Sequence, residues 1–310
     1  MSIFKKARKK LEVHLTRLGL VVFPRLPRKM ILALARMTGY CAFLLARGQR
    51  MITMANLELA FGGRKTFAEK KRIAIRSFQI MALVFIDFLW FSRHTRERVR
   101  EYVIMDESVP RNMPPPPAVV VTAHFGNWEL MSRAFTAHDY RHVAIAAPLA
   151  NPEVEAMFSA FRAAGDAEIV PMRGSLRAIR DGLLVAILLD QNTKPENGGT
   201  FVDFFGLPCP MSTIAAVLAE RKNVPIVPVF CRSQRDGYYT FYTLEQFGNL
   251  PAAGSADFAQ RVTQQIAATF QREIEKHPEQ WVWMYKRWKH VKPDWTAGGY
   301  PWYAKPLKKT

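Results

Sequence analysis

Ala118-Val119-Val120-Val121-Thr122-Ala123-His124-Phe125-Gly126-Asn127-Trp128-Glu129-Leu130 is the stretch on which the fold of this chain turns. Ala118 to Ala123, six small or β-branched residues in a row, read as a buried strand, because a strand covered on both faces needs no polar alternation. Gly126 then permits a sharp turn, and Asn127 is placed to cap a helix running to Ala137. Upstream, Pro114 to Pro117 form a polyproline loop that closes off a helical region. Downstream, β-rich runs and helical patterns alternate. Strands are predicted at Val143–Ala147, Ala167–Pro171, Leu183–Leu189, Pro225–Arg232 and Tyr238–Leu244. Helices are predicted at Pro152–Ala164, Ser175–Asp181, Met211–Arg221 and Phe258–Lys276. Such alternation argues an α/β fold, a mixed sheet flanked by helices, whose functional groups gather at the carboxyl ends of strands.

Before the polyproline loop the chain reads differently. Between Met1 and Met30 nine Lys/Arg face one acid, Glu12. Ile3, Ala7, Leu11, Leu15, Leu18 and Val22 recur at helical spacing, with Lys5, Lys6, Lys9 and Lys10 on the other face. A basic amphipathic helix of this kind lies in a membrane interface, and Pro24 and Pro27 end it. Met30 to Ala46 is a second apolar stretch with Arg36 near its middle. Its 17 residues sit at the lower limit for a span, and a central Arg is costly there, so it reads as embedded in or lying along the membrane. The plain alternative is a pair of ordinary helices packed on the domain with a solvated basic face. No cleavage site follows a clean apolar run, which argues against a removed signal peptide. Thr66 and Glu69 have capping-box spacing and open a helix that runs on into Met81 to Phe91, a strip apolar nearly all round within which Asp87 needs a partner. The expected organisation is membrane-anchoring helices over 1–47, a helical segment over 48–113, the α/β domain over 114–293 and a basic tail over 294–310.

The formal charge of +18 among 310 residues points to an anionic partner. Cys41, Cys209 and Cys231 are dispersed and odd in number, which suggests neither a disulfide framework nor a thiolate metal site. His138, His142, His277 and His290 lack metal-ligand spacing with a nearby carboxylate, so no metal is expected.

His124 and Glu129 are the candidate catalytic pair. On one ideal helix residues five apart point about 140° away from each other. A contact therefore requires His124 in the turn and Glu129 in the first helical turn. A carboxylate on one ring nitrogen fixes the tautomer and leaves the other nitrogen to take a proton from a hydroxyl. No G-x-S-x-G elbow supplies a serine nucleophile.

His124 to Glu129, written HFGNWE, resembles the H-x-x-x-x-D/E signature of the glycerolipid acyltransferase superfamily, and more closely the late lauroyl/myristoyl acyltransferases of lipid A biosynthesis. Further blocks carry the resemblance in the same order: Arg50 and Asn56; Met172-Arg173-Gly174-Ser175-Leu176-Arg177; Leu189-Asp190-Gln191 with Phe201 to Gly206; and Pro278 to Lys289. The resemblance implies O-acyl transfer from an acyl carrier protein or coenzyme A thioester, as co-substrate and with no cofactor, to a hydroxyl of a lipid acceptor. His124 is then the general base and Glu129 orients it. Arg173, Arg177, Asn127 and Asp190 are the substrate-binding candidates. Arg173 suits an oxyanion or phosphate, and Asp190 suits holding Arg173 or a substrate hydroxyl. The plain readings are an exposed salt bridge for Arg173, a surface position for Arg177, a loop cap for Asp190 and simple burial for Trp281, Trp283 and Trp288.

The expected setting is the cytoplasmic face of a bacterial inner membrane, on anionic lipid, with a lipid A precursor as acceptor. A phosphoinositol mannoside, an ornithine lipid or a lysophospholipid is the rival acceptor. A His-dependent hydrolase would need a water-accessible pocket instead of a greasy tunnel. A nucleic-acid-binding protein would concentrate its basic residues on the α/β core with stacking aromatics. Here they crowd the N-terminus beside apolar stripes, so no nucleic-acid partner is expected.

Overall fold

The computed structural model describes residues 3–145, 151–163, 168–248, 250–293 and 295–307. Helices come first: α1 (Ile3–Val22), α2 (Arg28–Leu45), α3 (Arg47–Phe61), α4 (Phe67–Trp90) and α5 (Thr95–Tyr102). Strand β1 (Val103–Met105) and helix α6 (Ser108–Asn112) follow, and then the alternating part begins. It comprises β2 (Ala118–Thr122), α7 (Trp128–Ala137), β3 (His142–Ile145), α8 (Pro152–Ala163), β4 (Glu168–Val170), α9 (Ser175–Arg180) and β5 (Leu184–Leu188). A hairpin of β6 (Gly199–Phe204) and β7 (Leu207–Ser212) precedes α10 (Ile214–Lys222), β8 (Ile226–Ser233), β9 (Tyr239–Thr243) and α11 (Phe258–Lys276). The short pair β10 (His290–Val291) and β11 (Lys305–Pro306) closes the described chain.

Among the described residues seven strands form one sheet in the order β1-β9-β8-β2-β5-β3-β4. All neighbours are parallel except β8 and β9, which run antiparallel. Strand β2 lies at the centre and is buried along its whole length. Its alternate residues feed two cores. Val119 and Val121 pack with α3, α10, α11 and the tryptophans of 281–288, while Ala118 and Val120 pack with α2, α4 and α7. Both faces are covered, which is why the strand carries no polar alternation.

The mixed sheet flanked by helices is therefore the expected fold, with differences at its margins. Strand β1 joins the sheet from within the segment read as helical. Met211 and Ser212, expected to begin a helix, pair in β7 with Thr200 and Gly199. That hairpin turns at Phe205 and Gly206, both with positive φ, 55° and 78°. Only Gly206 announces such a turn in sequence. Parts of the predicted elements at 146–147, Ala164 and Ala167 lie outside the described residues, as do the side chains of Ile3, Lys5, Lys6, Ala7 and Leu11, and Asp294 and residues 308–310 of the tail.

The capping box at Thr66 and Glu69 is formed and opens α4. Helix α2 buries one stripe, Ile31, Ala35, Gly39 and Phe43, against α4. At Gly39 a Cβ would lie 2.4 Å from the Gln79 Cα, so only glycine permits this approach. The opposite stripe, Met30, Met37, Tyr40 and Leu44, is exposed. Helices α2 and α3 meet at a bend of 91°, so the apolar stretch at 30–46 does not continue as a straight rod. Among the described residues α4 alone is long and apolar enough to cross a membrane unbent, but more than half of its apolar window is buried in the protein. Asp87 on α4 finds its partner across the fold: Arg28 of α2 and Tyr239 of β9 both donate to its carboxylate.

Candidate active site

The chain leaves β2 at Thr122 and turns at once. Phe125 N–H donates to the Ala123 carbonyl at 2.7 Å, and Gly126 takes φ +58°. The turn is clamped from two sides. Gly126 N–H donates to Gln280 O at 2.9 Å, Asn127 N–H to Cys231 O at 2.8 Å, and Val282 N–H to His124 O at 3.2 Å. A Cβ on Gly126 would stand 2.0 Å from the Cys231 carbonyl oxygen, so this residue must be glycine on two counts. The result is a rigid pedestal that presents His124 at the carboxyl end of the central strand, where sites in such sheets gather.

The carboxylate on His124 is Asp190. It follows β5, the strand beside β2, and its Oδ1 lies 2.7 Å from His124 Nδ1. Its Oδ2 accepts from His124 N–H at 2.9 Å and from Trp281 Nε1–H at 2.8 Å. An ionised carboxylate only accepts, so Nδ1 carries the ring hydrogen and Nε2 keeps its lone pair. The Gln191 amide N–H donates to Nε2 at 3.3 Å. Burial disfavours the imidazolium, but the charge and hydrogen bond of Asp190, helped by the charge of Glu129, outweigh it and hold the His124 pKa above its ordinary value. Burial likewise pushes Asp190 upward, and the charge of His124 with three hydrogen bonds holds it below the usual carboxylate range.

A cavity of about 300 Å³ opens over this pair. Met81 and Phe85 of α4, Trp128 and Val282 supply apolar wall; Glu129, Gln191 and Tyr285 supply polar groups. Glu129 stands in the first turn of α7, as its spacing predicts, and shares the cavity with His124. The Trp128 ring packs edge-on against the imidazole at 4.9 Å between centroids. Together these give a base with a fixed tautomer, a lone pair engaged only by a long bond from Gln191, and a largely apolar chamber.

The remaining sequence candidates fall elsewhere. Asp190, read as a holder of Arg173 or of a substrate hydroxyl, instead holds His124. Arg173 is exposed on the turn after β4, and Arg177 is 81% exposed beside Asp181 at 3.6 Å. Neither lines the cavity. Asn127 occupies the cap position of α7 without a side-chain capping bond; it is buried, and its amide approaches Asp87 at 3.4 Å. Trp281, Trp283 and Trp288 are buried in one aromatic cluster with Phe204. Asn56 donates to the carbonyls of Trp283 and Tyr285, tying α3 to the segment that clamps the turn. Trp281, Gln191 and Tyr285 were not assigned to the site from sequence. The blocks containing them were visible, but their side-chain directions were not. Among the described residues no group of three or more His, Cys, Asp or Glu could hold a metal ion.

Residues 1–290 match the family described as bacterial lipid A biosynthesis acyltransferase. A phosphatidylinositol mannoside acyltransferase of Mycobacterium tuberculosis, found in two strains, is 25% identical over 181 residues, 55% of this chain and 54% of the relative. The chain thus spans about half the length of the curated relatives it matches. A solved structure, the 1-acyl-sn-glycerophosphate acyltransferase PlsC from Thermotoga maritima, aligns over 80% of this chain and 99% of its own at 14% identity, with a TM-score of 0.36.

Proposed function

The chain belongs to the bacterial lipid A biosynthesis acyltransferase family, and from that premise we propose that it transfers a fatty acyl group from a thioester to a hydroxyl of a lipid acceptor at a membrane surface. The observation that carries this reading is the His124 imidazole. It is tied at Nδ1 to Asp190, and its Nε2 faces a largely apolar cavity.

The acceptor hydroxyl gives its proton to His124 Nε2 as its oxygen bonds to the thioester carbonyl carbon. The imidazolium so formed is stabilised by Asp190 and by the charge of Glu129. The tetrahedral oxyanion collapses, the carbon–sulfur bond breaks, and the leaving thiolate takes the proton back from Nε2. Atoms and charge balance without an acyl-enzyme. Met81, Phe85, Trp128 and Val282 favour the apolar chain of the donor in the cavity. Arg173 and Arg177 stand outside it and are left to meet phosphates of a substrate that extends into the headgroup region.

The donor in this reading is an acyl carrier protein or coenzyme A thioester, and the acceptor a phosphorylated glycolipid of lipid A precursor type at the cytoplasmic face of the inner membrane. Exposed Leu15, Leu18, Val21 and Val22 on α1, with the outward stripe of α2, support a protein lying on the bilayer. The similarity to a phosphatidylinositol mannoside acyltransferase favours a second acceptor class, a mannosylated phosphoinositol lipid.

The test supplies purified protein with both thioesters and a panel of lipid acceptors, and reads acylated product by mass spectrometry. Transfer to a phosphoglycolipid, lost in His124→Ala, is the expected outcome. Thioester hydrolysis without any acylated lipid, or full transfer by His124→Ala, refutes the reading.

A further inference from the structure

A second and larger cavity, about 620 Å³, lies on the other side of α4 from His124. Arg76 and Phe85 are nine residues apart and point about 180° away from each other on the helix. Phe85 walls the catalytic cavity and Arg76 this one. Five cations from three elements line it: Arg36 of α2, Lys71, Arg72 and Arg76 of α4, and Arg235 of the turn between β8 and β9. Among the described residues Glu279 is its single carboxylate. Among the described residues none of the five cations makes an ion pair.

Such a convergence is costly when empty. Arg76 is partly buried, and its nearest side-chain acceptor, Gln79 Oε1, is 3.4 Å away. Burial, together with the like charges of Arg36 and Arg235, pulls its pKa below the ordinary guanidinium range. Arg36 donates to the Arg235 main-chain carbonyl at 2.8 Å, which ties α2 to the β8–β9 turn. A dianionic group with several oxygens relieves this arrangement, since guanidinium forks match phosphate geometry. The apolar surroundings narrow the source. Ile73 and Ile75 line the cavity, and Phe67 and Met37, next in sequence to the lining residues Ala68 and Arg36, are 70% and 60% exposed.

We propose that the cavity between α2, α4 and the β8–β9 turn is a second binding site, distinct from the catalytic cavity, that takes the phosphate of a lipid headgroup. Two of its lining residues, Gln280 and Ser233, stand beside the clamp of the catalytic turn. The Gln280 side chain lines the cavity and is fixed to both main-chain groups of Ser233, while its carbonyl accepts from Gly126 N–H.

Flotation with the full chain tests this, using phosphatidylcholine vesicles carrying either phosphatidic acid or the phosphate-free anion cholesteryl hemisuccinate. Lys71→Gln/Arg72→Gln and Arg235→Gln change exposed side chains, and Arg221→Gln/Lys222→Gln on α10, exposed and outside both cavities, is the charge-matched control. Wild type should prefer phosphatidic acid, and the cavity variants should lose about tenfold of that preference while the control keeps it. Inorganic pyrophosphate should compete for binding to phosphatidic acid vesicles in wild type and not in the cavity variants. The proposal is overturned if the cavity and control variants lose binding equally. It is also overturned if the cavity variants keep vesicle binding and lose only acyl carrier protein, or if coenzyme A binds there and phosphatidic acid does not displace it.

Discussion

Asp190 and Asp87 are both almost completely buried carboxylates, and each is held by donors from at least two elements. Asp190 accepts from His124 and Trp281; Asp87 accepts from Arg28 and Tyr239, with the Asn127 amide at 3.4 Å. They differ in what the partner can do and in what it faces. Arg28 keeps its charge at every accessible pH, and its side chain is 7% exposed beside a carboxylate that is fully sealed. His124 can gain and lose a proton, its side chain is 19% exposed, and its second nitrogen faces a cavity. The first arrangement pins α2 and α4 to the sheet. The second can carry a reaction. Burial of a carboxylate is common to both; a titratable partner whose second nitrogen opens on a cavity separates them.

The sharpest way to break this comparison is to remove each charge while keeping its shape. Asp190→Asn leaves Nδ1 without an anionic acceptor, frees the wrong tautomer and removes the stabilisation of the imidazolium. A fall of about 10³- to 10⁴-fold in kcat is expected. The acid limb of the pH profile should also move. In wild type activity rises as His124 loses its proton, at a pH above the ordinary histidine value because Asp190 overcomes burial. With asparagine in place the effect of burial dominates and the limb shifts to lower pH. The stability signs differ for the two partners. The raised His124 pKa contributes stability that is present below its unfolded value and is lost as pH rises through the folded one. The lowered Asp190 pKa contributes stability that is present above its unfolded value and is lost as pH falls through the folded one. The destabilisation of Asp190→Asn should therefore peak between about pH 4 and 6.5 in urea titrations. A wild-type acid limb in Asp190→Asn would break the assignment.

Asp87→Ala should act on stability instead. It leaves Arg28 buried without its counter-ion, and about 3–5 kcal/mol of unfolding free energy is expected to be lost. The double variant Arg28→Met/Asp87→Leu removes both charges and should recover most of that loss. Enzyme that still folds in the double variant should retain turnover within a few-fold of wild type. A loss as large as that of Asp190→Asn would place Asp87 in the chemistry after all.

Gly126→Ala tests the pedestal between the two carboxylates. The added methyl needs both a left-handed backbone and space that the Cys231 carbonyl occupies. The turn must shift, and a displacement of about 1 Å in a catalytic group costs on the order of 10²-fold in rate. Reduced kcat with bound acyl thioester still retained is the expected result, read by single-turnover kinetics.

How much of this was legible in the sequence follows from what each signal encodes. The buried run Ala118–Thr122, the glycine after it and the alternation downstream report backbone periodicity, so they place β2, the turn and α7 closely. The partner of His124 is a different kind of information. Glu129 is close in sequence and shares the cavity. Asp190 lies 66 residues away and comes beside His124 only because β5 pairs with β2 in register, Leu188 opposite Thr122. No local pattern carries that pairing. Asp87 was recognisable as a charge needing a partner, but Arg28 reaches it through helix packing at Gly39, where the cue is a single missing side chain. Strand β1 is three residues long, too short for any periodicity to show.

The smallest effect is expected at a third carboxylate pair, which extends the comparison to the surface. Arg177 and Asp181 are 81% and 56% exposed and 3.6 Å apart, Arg177 on α9 and Asp181 at its C-terminal cap. Water screens such a pair and each side chain gives up rotamer freedom to form it, so Arg177→Ala should change stability by less than about 0.5 kcal/mol. It should also leave kcat unchanged, because the guanidinium lies outside the cavity that His124 faces. A substrate-binding role would surface as a higher KM for a phosphorylated acceptor, with no change for an unphosphorylated one, and would weaken as salt is added. A fall in kcat with KM unchanged would place Arg177 at the reacting carbonyl and break the separation between the sealed, the reactive and the solvated pair.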